Sequence, residues 1–395
     1  MARGEDWNNR LKAFALGLGI ALTALTARHW YGTFFLGYPL CENCRPDFPS
    51  LYAGAKLIWQ KPNALYDLGQ QLSILKTIDP RIGDSVLPFA YPPTTALLLM
   101  PLGWTSFANA YLIMTLMNGL ALLLALRLLT VNFHLNGEQT TWLGLTAFCS
   151  FGVHSAILQG QTSLMVLLLI VLLMRSSVSG DQTMGGLWSG ALFFKPQFLP
   201  IPFLLLLAQR RWRGLAVGIF LVAGLSVISG LLIGINGIVD YVHLTLRFSA
   251  TESDLGTNPA DMHNLRALLY YALPVGTVMS AWIGLCALVA VGTLFVNMRS
   301  SNDEQSTAMQ WVANLLAIIL VSPHLHSHDL ALLIPANALV LTMAGDFIPI
   351  WVLVGLIGLG IFPLLPLMFD HQLPPLLPLL FLIAFVFCVR LKWKS

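Results

Sequence analysis

Long apolar runs separated by short polar joints constrain the fold of this chain more than any other feature of its sequence. Runs of roughly 15–25 residues recur from residues 11–30 to residues 375–389, and about 20 apolar residues suffice to cross a bilayer as a helix. Charged residues make up only 10% of the 395 residues and the mean hydropathy is +0.74, whereas about 25% of a typical soluble domain is charged. The sequence therefore excludes an ordinary soluble protein and predicts an all-α, polytopic membrane protein.

Lysine and arginine are concentrated in short joints between the apolar runs. These joints lie at residues 3–12, 127, 175, 210–213, 299 and 390–394. Because positively charged joints stay on the cytoplasmic side, both termini are expected in the cytoplasm, with about 12 crossings (range 10–13) between them. Several runs are shorter than the ~20 residues of a straight span, so some helices must be tilted, broken or line a cavity. We expect one integral membrane domain over residues 1–395.

The longer polar segments fall on the opposite, extracytoplasmic side in this topology. The first is a loop at residues 31–93, and the second is a loop at residues 235–273. Transporters concentrate polar residues near the middle of the membrane, on two related halves. No internal repeat is visible here, so the pattern favours chemistry at the outer membrane surface.

Both loops contain stretches that predict short interfacial helices. Residues 51–60 form an amphipathic stretch, and residues 238–250 have apolar residues at helical spacing. The second stretch suits a helix on the membrane surface, although a loop helix packed on the protein is equally compatible with it. The apolar run at 94–103 is predicted as a half-helix that enters the membrane after Tyr91-Pro92-Pro93.

Asp47 is the first candidate for chemistry, since it follows the first span in the sequence Arg-Pro-Asp-Phe-Pro. A partly desolvated carboxylate at the membrane surface can act as a general base towards a hydroxyl group. The alternative is that Asp47 caps the following helix, a role that Ser50 fits equally well. Nearby, Cys41 and Cys44 form a CxxC motif. A local disulfide and two free thiols both stay open, while a zinc site would need further ligands that the sequence lacks.

Lys195 interrupts an otherwise uncharged run and is followed by Pro196. An ionisable residue inside an apolar run is a functional candidate, and the point charge of a lysine suits a phosphate. The alternative is that Lys195 reaches to the outer membrane interface with its flexible side chain.

Three histidines at alternating positions, His324, His326 and His328, precede Asp329. A metal cluster is disfavoured because no HExxH motif is present and no further shared ligand is visible. A histidine–carboxylate pair for proton transfer or phosphate binding is favoured, with helix capping and interface packing as alternatives. Other polar groups on the same face suit a sugar or a phosphate; they are Gln159, Gln161, His263, Asn264 and Arg266.

Several short motifs follow one another in a characteristic order. They are DFPSLYAGAKLIWQKPNALYD from Asp47, FAYPP from Phe89, GQTSLMVLLL from Gly160, GGLWSGALFFKPQ from Gly185 with the basic joint RRWRG, and SPHLHSHDL from Ser322. This order resembles glycosyltransferase family 87 over roughly residues 47–335. The family consists of GT-C-type integral membrane enzymes and includes polyprenyl-phosphate-mannose-dependent mannosyltransferases of phosphatidylinositol mannoside synthesis.

The resemblance implies a GT-C-type bundle that transfers a hexose, with mannose expected, from a polyprenyl-phosphate sugar with inversion. Asp47 matches the position of the base, while Lys195, Arg266 and a histidine among 324, 326 and 328 would stabilise the departing phosphate. Because side chains can neutralise a monophosphate, neither a metal nor a cofactor is expected. The remaining substrate-binding candidates are Asp329, Gln159, Gln161, Asn264 and Tyr91.

The expected partners are the polyprenyl-phosphate sugar donor, a glycolipid or glycan acceptor, and the lipid bilayer. Nucleic acid is not expected, and the oligomeric state stays open. The expected location is a bacterial-type inner membrane, with the active site facing the periplasm or cell exterior. The alternatives are a transporter or flippase of lipid-linked sugars, a non-catalytic scaffold, and a GT-C enzyme with a protein or lipid A acceptor.

Overall fold

A computed structural model describes residues 2–35, 47–78, 87–250, 255, 259–298, 304–345, 348–362 and 376–394. Every regular element among these residues is helical and no strand occurs among them, which confirms the predicted all-α fold. Cys41 and Cys44 lie outside the described residues.

The amino-terminal part forms helices α1 to α4, which are Ala2–Phe35, Phe48–Gln60, Leu68–Ile78 and Pro93–Leu99. Proline lies in the first turn of α2 and of α4, where its missing N–H costs no hydrogen bond. Helix α4 continues as a 3-10 turn, Met100–Trp104, so a short helix starts after Tyr91-Pro92 as predicted. Residues 48–55 of α2 are buried, and they form a small core with Phe89, Tyr111 and their neighbours.

The middle of the chain forms helices α5 to α12. They are Phe107–Asn132, Gly137–Phe148, Phe151–Leu158, Ser163–Ser179, Gln182–Ala191, Pro200–Ala208, Trp212–Phe248 and Leu265–Ala272. The predicted run 141–158 is divided into α6 and α7, which are bent by 49°. Lys195 lies between two 3-10 turns that separate α9 from α10. Helix α11 consists of two helical parts that meet at a kink at Gly234, whose φ of 71° and ψ of 175° are not helical. The second part contains most of the stretch 238–250 that is predicted as a helix.

The carboxy-terminal part forms helices α13 to α17. They are Val275–Met298, Glu304–Val321, Ile334–Ala344, Ile350–Ile361 and Leu376–Lys394, and a 3-10 helix, Ser327–Leu333, precedes α15. Helices α14 and α15 supply many fully buried residues to the large apolar core that they share with α5 and α8. The same core includes Leu325 and residues 330–333, which flank the His-Asp segment.

Several helices are long and apolar enough to cross a membrane. The described residues contain five such helices, or up to six if the bent pair α6–α7 is one span. The five are Asp6–Arg28, Phe107–Asn132, Trp212–Phe248, Val275–Met298 and Ser327–Ala344. Other apolar helices are shorter, namely Ser163–Ser179, Pro196–Ala208, Gln305–Val321, Ile350–Ile361 and Leu376–Leu391. The chain is therefore a helical membrane protein, as its composition predicts.

Candidate active site

A cavity of about 600 Å³ lies where several distant segments of the chain meet. Its walls come from the start of α2, the segment before α4, helix α7 and the turn after it, the Lys195 turn, the end of α11 and the His-Asp segment. Most of the predicted catalytic and substrate-binding residues line it: Asp47, Tyr91, Gln159, Gln161, Lys195, His324, His326, His328 and Asp329. Arg266 and Asn264 are not among the lining residues.

Asp47 immediately precedes α2, but its carboxylate does not cap the helix. Asp47 Oδ2 accepts a hydrogen bond from Gln161 Nε2 at 2.5 Å and lies 3.9 Å from His328 Nδ1. At the start of the helix, Ser50 Oγ and the Ser50 N–H instead donate to the Asp47 carbonyl. The Asp47 side chain is 16% exposed, so its carboxylate is partly desolvated and still reachable from the cavity. The capping alternative is therefore wrong for this side chain.

The turn at residues 159–161 holds two amide side chains against the cavity. Gly160 has a φ of +60°, a conformation that residues with a Cβ rarely adopt, and a Cβ there would lie 2.6 Å from Phe48 Cβ. Phe48 N donates to the Gln159 carbonyl at 2.9 Å, and Asn118 Nδ2 donates to the Gln161 carbonyl at 2.8 Å. These contacts join the turn to the start of α2, which explains why the Gly-Gln motif and Asp47 meet.

Tyr91 completes this wall through Gln161. The Tyr91 hydroxyl donates to Gln161 Oε1 at 3.2 Å, and Tyr66 Oη donates to the Tyr91 carbonyl at 2.8 Å. Burial, and then the nearby Asp47 carboxylate, raises the pKa of the Tyr91 phenol above its ordinary value. The phenol therefore stays protonated at neutral pH, and Gln161 is held between a phenol and a carboxylate.

Lys195 and Asp329 form an ion pair in the lining of the cavity. Lys195 Nζ lies 2.6 Å from Asp329 Oδ1, and both side chains are only 1% exposed. Ser163 Oγ donates to the same carboxylate oxygen at 2.6 Å and accepts from Lys195 Nζ at 3.0 Å. Lys195 is therefore buried and paired, and it does not reach towards the membrane interface as the snorkelling alternative requires.

His328 lies between the carboxylates of Asp47 and Asp329. His328 Nδ1 is 2.6 Å from Gln159 Oε1, and His328 Nε2 is 3.4 Å from Asp329 Oδ2. Both ring nitrogens thus face acceptor oxygens, so both are committed to protein groups. Through this ring the Lys195–Asp329 pair is connected to the wall that holds Asp47.

The other two histidines of the segment have different surroundings. His324 packs on Phe248 with ring centroids 5.1 Å apart, and its Nε2 lies 3.2 Å from Ser249 Oγ. Burial, and then the charges of Arg266 and His326, lowers the pKa of His324 to about 3, so this ring is neutral at physiological pH. His326 lies half-buried in the cavity wall, with its ring centroid 5.8 Å from that of His328.

Arg266 and Asn264 do not line the cavity, but they bind backbone carbonyls next to the histidine segment. Arg266 is 1% exposed, and its guanidinium donates to the Ser249 carbonyl at 2.8 Å and the Pro323 carbonyl at 3.5 Å. Asn264 caps α12 through Ala267 N and donates to the Ser322 carbonyl at 2.6 Å. Both residues therefore hold the segment that carries the histidines.

Several lining or supporting residues were not among the predicted ones. Tyr241, Thr245 and Phe248 line the cavity from α11, at a spacing that places them on one helix face. The sequence shows this spacing but does not tell which face meets the cavity. Asp261 also lines the cavity, and Ser163 supports the ion pair. Their positions depend on distant parts of the chain, so no local pattern marks them.

A metal site was considered for the histidine segment. In the part of the chain that the structure describes, no group of three or more His, Cys, Asp or Glu side chains is arranged to hold a metal ion.

Comparison with known proteins gives one match. The family model described as Glycosyltransferase family 87 matches residues 89–323, which is more than half of the 395-residue chain. No curated protein and no solved structure matches the chain. The matched region includes Lys195 and His263, whereas Asp47, His328 and Asp329 lie outside it.

Proposed function

The chain belongs to glycosyltransferase family 87, and we propose from this membership and the cavity that it transfers a hexose from a polyprenyl-phosphate sugar to a lipid-linked or glycan acceptor. The family makes the chain a membrane glycosyltransferase. Mannose as the sugar and inversion as the stereochemical course are the finer parts of the proposal. They are supported by the resemblance of the motif order to this family, which includes mannosyltransferases.

The position of Asp47 is the observation that carries the proposal. Its carboxylate lies in the cavity wall, 16% exposed, and Gln161 holds one oxygen at 2.5 Å. A general base must come within hydrogen-bond reach of the hydroxyl proton that it removes. A carboxylate that is partly exposed to the cavity supports this role for Asp47.

In the proposed reaction Asp47 accepts the proton of the acceptor hydroxyl as that oxygen attacks the anomeric carbon. The new bond joins the acceptor oxygen to this carbon, and the bond from the carbon to the phosphate oxygen breaks. The phosphate leaves with the electron pair, on the face opposite to the attack, so the configuration at the anomeric carbon inverts. The polar wall would then stabilise the charge on the departing phosphate.

The proposed donor site includes the polar groups that line the cavity beside Asp47. The amides of Gln159 and Gln161 and the Tyr91 phenol suit sugar hydroxyls, and Lys195, His326 and His328 suit the phosphate. Asp329 would fix Lys195 and His328. For Arg266 and Asn264 we propose a positioning role, because their polar groups bind the backbone behind His324.

We further propose a GT-C-type bundle of about 12 crossings, in which the shorter apolar helices cross as tilted or broken spans. The cavity would open towards the periplasm or cell exterior of a bacterial-type inner membrane, within the loops 31–93 and 235–273. This arrangement is supported by the basic joints, which the positive-inside rule assigns to the cytoplasm. A lipid-linked donor could then keep its tail in the bilayer and present its phosphosugar to Asp47.

The first prediction is that Asp47→Asn reduces sugar transfer by roughly 100- to 10,000-fold, because the amide cannot take the proton. The assay uses purified protein with a radiolabelled polyprenyl-phosphate sugar and measures label on the acceptor and donor binding. The exposed Asp240, which does not line the cavity, provides the matched control Asp240→Asn with unchanged transfer. Near-normal transfer by Asp47→Asn would refute the assignment, and movement of intact donor without bond cleavage would favour the flippase alternative.

A further inference from the structure

The described lining of the cavity carries more negative than positive formal charge. Its charged side chains are the carboxylates of Asp47, Asp261 and Asp329 and the ammonium group of Lys195. These groups sum to a formal charge of −2 if every histidine is neutral, and the sum is −1 if His328, whose two ring nitrogens both face acceptor oxygens, carries a proton on each. The phosphate of the proposed donor adds another negative charge, and like charges in a partly desolvated site repel strongly. A further positive charge in the lining would therefore strengthen the binding of the phosphate.

Lys195 does not provide this charge freely. Its ammonium group is 2.6 Å from Asp329 Oδ1, 3.0 Å from Ser163 Oγ, and 1% exposed. Separating a buried pair leaves an uncompensated charge, which is strongly unfavourable. Lys195 thus remains paired with Asp329, and the pair is neutral as a whole.

Three of the four histidines that line the cavity are already committed. His324 is neutral and lies against Ser249 and Phe248. His263 contacts Ser327 Oγ at 3.0 Å, and both nitrogens of His328 face protein oxygens. His324 Nδ1 has no hydrogen-bond partner among the described residues but is buried, and these contacts of the other two rings are with protein oxygens.

His326 differs from them in its contacts. It lines the cavity, is half-buried, and its ring forms no hydrogen bond with any described residue. The groups that influence it are the carboxylates of Asp47, Asp329 and Asp261 and the ring of His328. Burial, and then His328, lowers the pKa of His326 below its ordinary value, although the carboxylates oppose this shift. The ring is therefore neutral at neutral pH before the donor binds.

We propose that His326 takes up a proton from solvent when the donor phosphate binds and becomes the counter-ion of that phosphate. The inference rests on the proposed function, since it concerns the donor of that reaction. It assigns the phosphate contact to one histidine of three and makes donor affinity depend on pH.

The sign of this dependence follows from proton linkage. The phosphate favours the charged form of His326, so the complex binds more protons than the free protein, and ligand affinity falls as the pH rises. If one proton is taken up, the dissociation constant rises by up to about tenfold per pH unit between the pKa of His326 in the free protein and its pKa in the complex. Below this range His326 is charged before binding and the dependence levels off.

The test uses farnesyl methyl phosphodiester, a non-transferable probe whose single negative charge does not change over this pH range. Titration calorimetry of the full-length protein in two buffers of different ionisation enthalpy measures both the dissociation constant and the number of protons taken up. We expect about one proton per bound probe at pH 7. In His326→Gln the proton uptake and the pH dependence should disappear, and His326→Arg should bind the probe independently of pH.

His134 provides the matched control, because it is exposed and does not line the cavity; His134→Gln should keep the wild-type pH dependence. Wild-type binding that is independent of pH and takes up no proton would overturn the inference, and so would an unchanged dependence in His326→Gln. Sugar transfer by the same preparation is measured separately. A protein that transfers sugar but takes up no proton disproves only the role of His326, whereas a folded protein that transfers no sugar disproves the proposed function.

Discussion

At the scale of single residues, the buried ion pair of Lys195 and Asp329 sets the electrostatics of the site. Asp329→Asn should lower stability by about 3–5 kcal/mol, because it leaves the Lys195 charge without its partner. The double variant Lys195→Met/Asp329→Leu should lose less stability than Lys195→Met and Asp329→Leu lose in sum, since it removes both charges. Denaturant unfolding in detergent measures the stability of all four variants. The exposed pair Arg10–Asp6 provides the control Asp6→Asn, for which little change in stability is expected. If the stability losses at positions 195 and 329 were additive, the two charges would not be coupled.

At the same scale, the sequence predicts the residues that are chemically unusual in their local context. Lys195 interrupts an uncharged run, and Asp47 follows the first span, so both can be recognised without a structure. Which residues they contact cannot be recognised in this way. The sequence marks Gln161 as a substrate-binding candidate but not as the partner of Asp47, and it does not mark Ser163 at all. The contacts of Gln161 with Asp47 and of Ser163 with Asp329 each join residues more than 100 positions apart.

At the scale of the element, the change of direction in α11 brings one helix face to the cavity. Gly234 has φ 71° and ψ 175°, a conformation essentially restricted to glycine, which costs other residues about 1–3 kcal/mol. Gly234→Ala should therefore shift the following segment and displace Tyr241, Thr245 and Phe248 from the cavity wall. We expect weaker donor binding and lower transfer, measured as KM and kcat.

Gly224 lies in the same helix, has no positive φ, and a Cβ there would meet nothing within 4 Å. Gly224→Ala is therefore the matched control and should leave KM unchanged. Equal kinetics in Gly234→Ala would show that the change of direction at Gly234 does not position the cavity wall.

Helix periodicity predicts where helices form better than how they join. The stretch 238–248 is helical, as its spacing indicates, and the non-helical backbone of Gly234 separates it from the first part of α11. The signal for this is Gly234 alone, and a glycine in an apolar run is also compatible with a straight helix. The bend between α6 and α7 similarly lies at Cys149 and Ser150, where neither residue disrupts a helix by itself.

At the scale of the whole molecule, composition predicts the helical membrane fold, and motif order predicts the family. The number of crossings is harder to predict, since several apolar helices, such as α8 and α16, are shorter than a straight span. Their burial by neighbouring helices decides whether they cross, and burial is a property of the assembled bundle. Asp47 and Asp329 line the same cavity although they lie far apart in the sequence. Their proximity is therefore also a property of the assembled bundle.

The orientation of the bundle leads to the last prediction, which concerns the two faces of the membrane. In a Cys41→Ser/Cys44→Ser background, Ala272→Cys should react with a membrane-impermeant maleimide in intact spheroplasts, because residues 235–273 are proposed to face outward. Ser179→Cys should react only after lysis, because the basic joint at Arg175 is assigned to the cytoplasm. Both positions are exposed, while the remaining cysteines are buried or half-buried. Labelling is read by mass shift. The reverse pattern would place the cavity on the cytoplasmic side, where a donor presented at the outer surface could not reach Asp47.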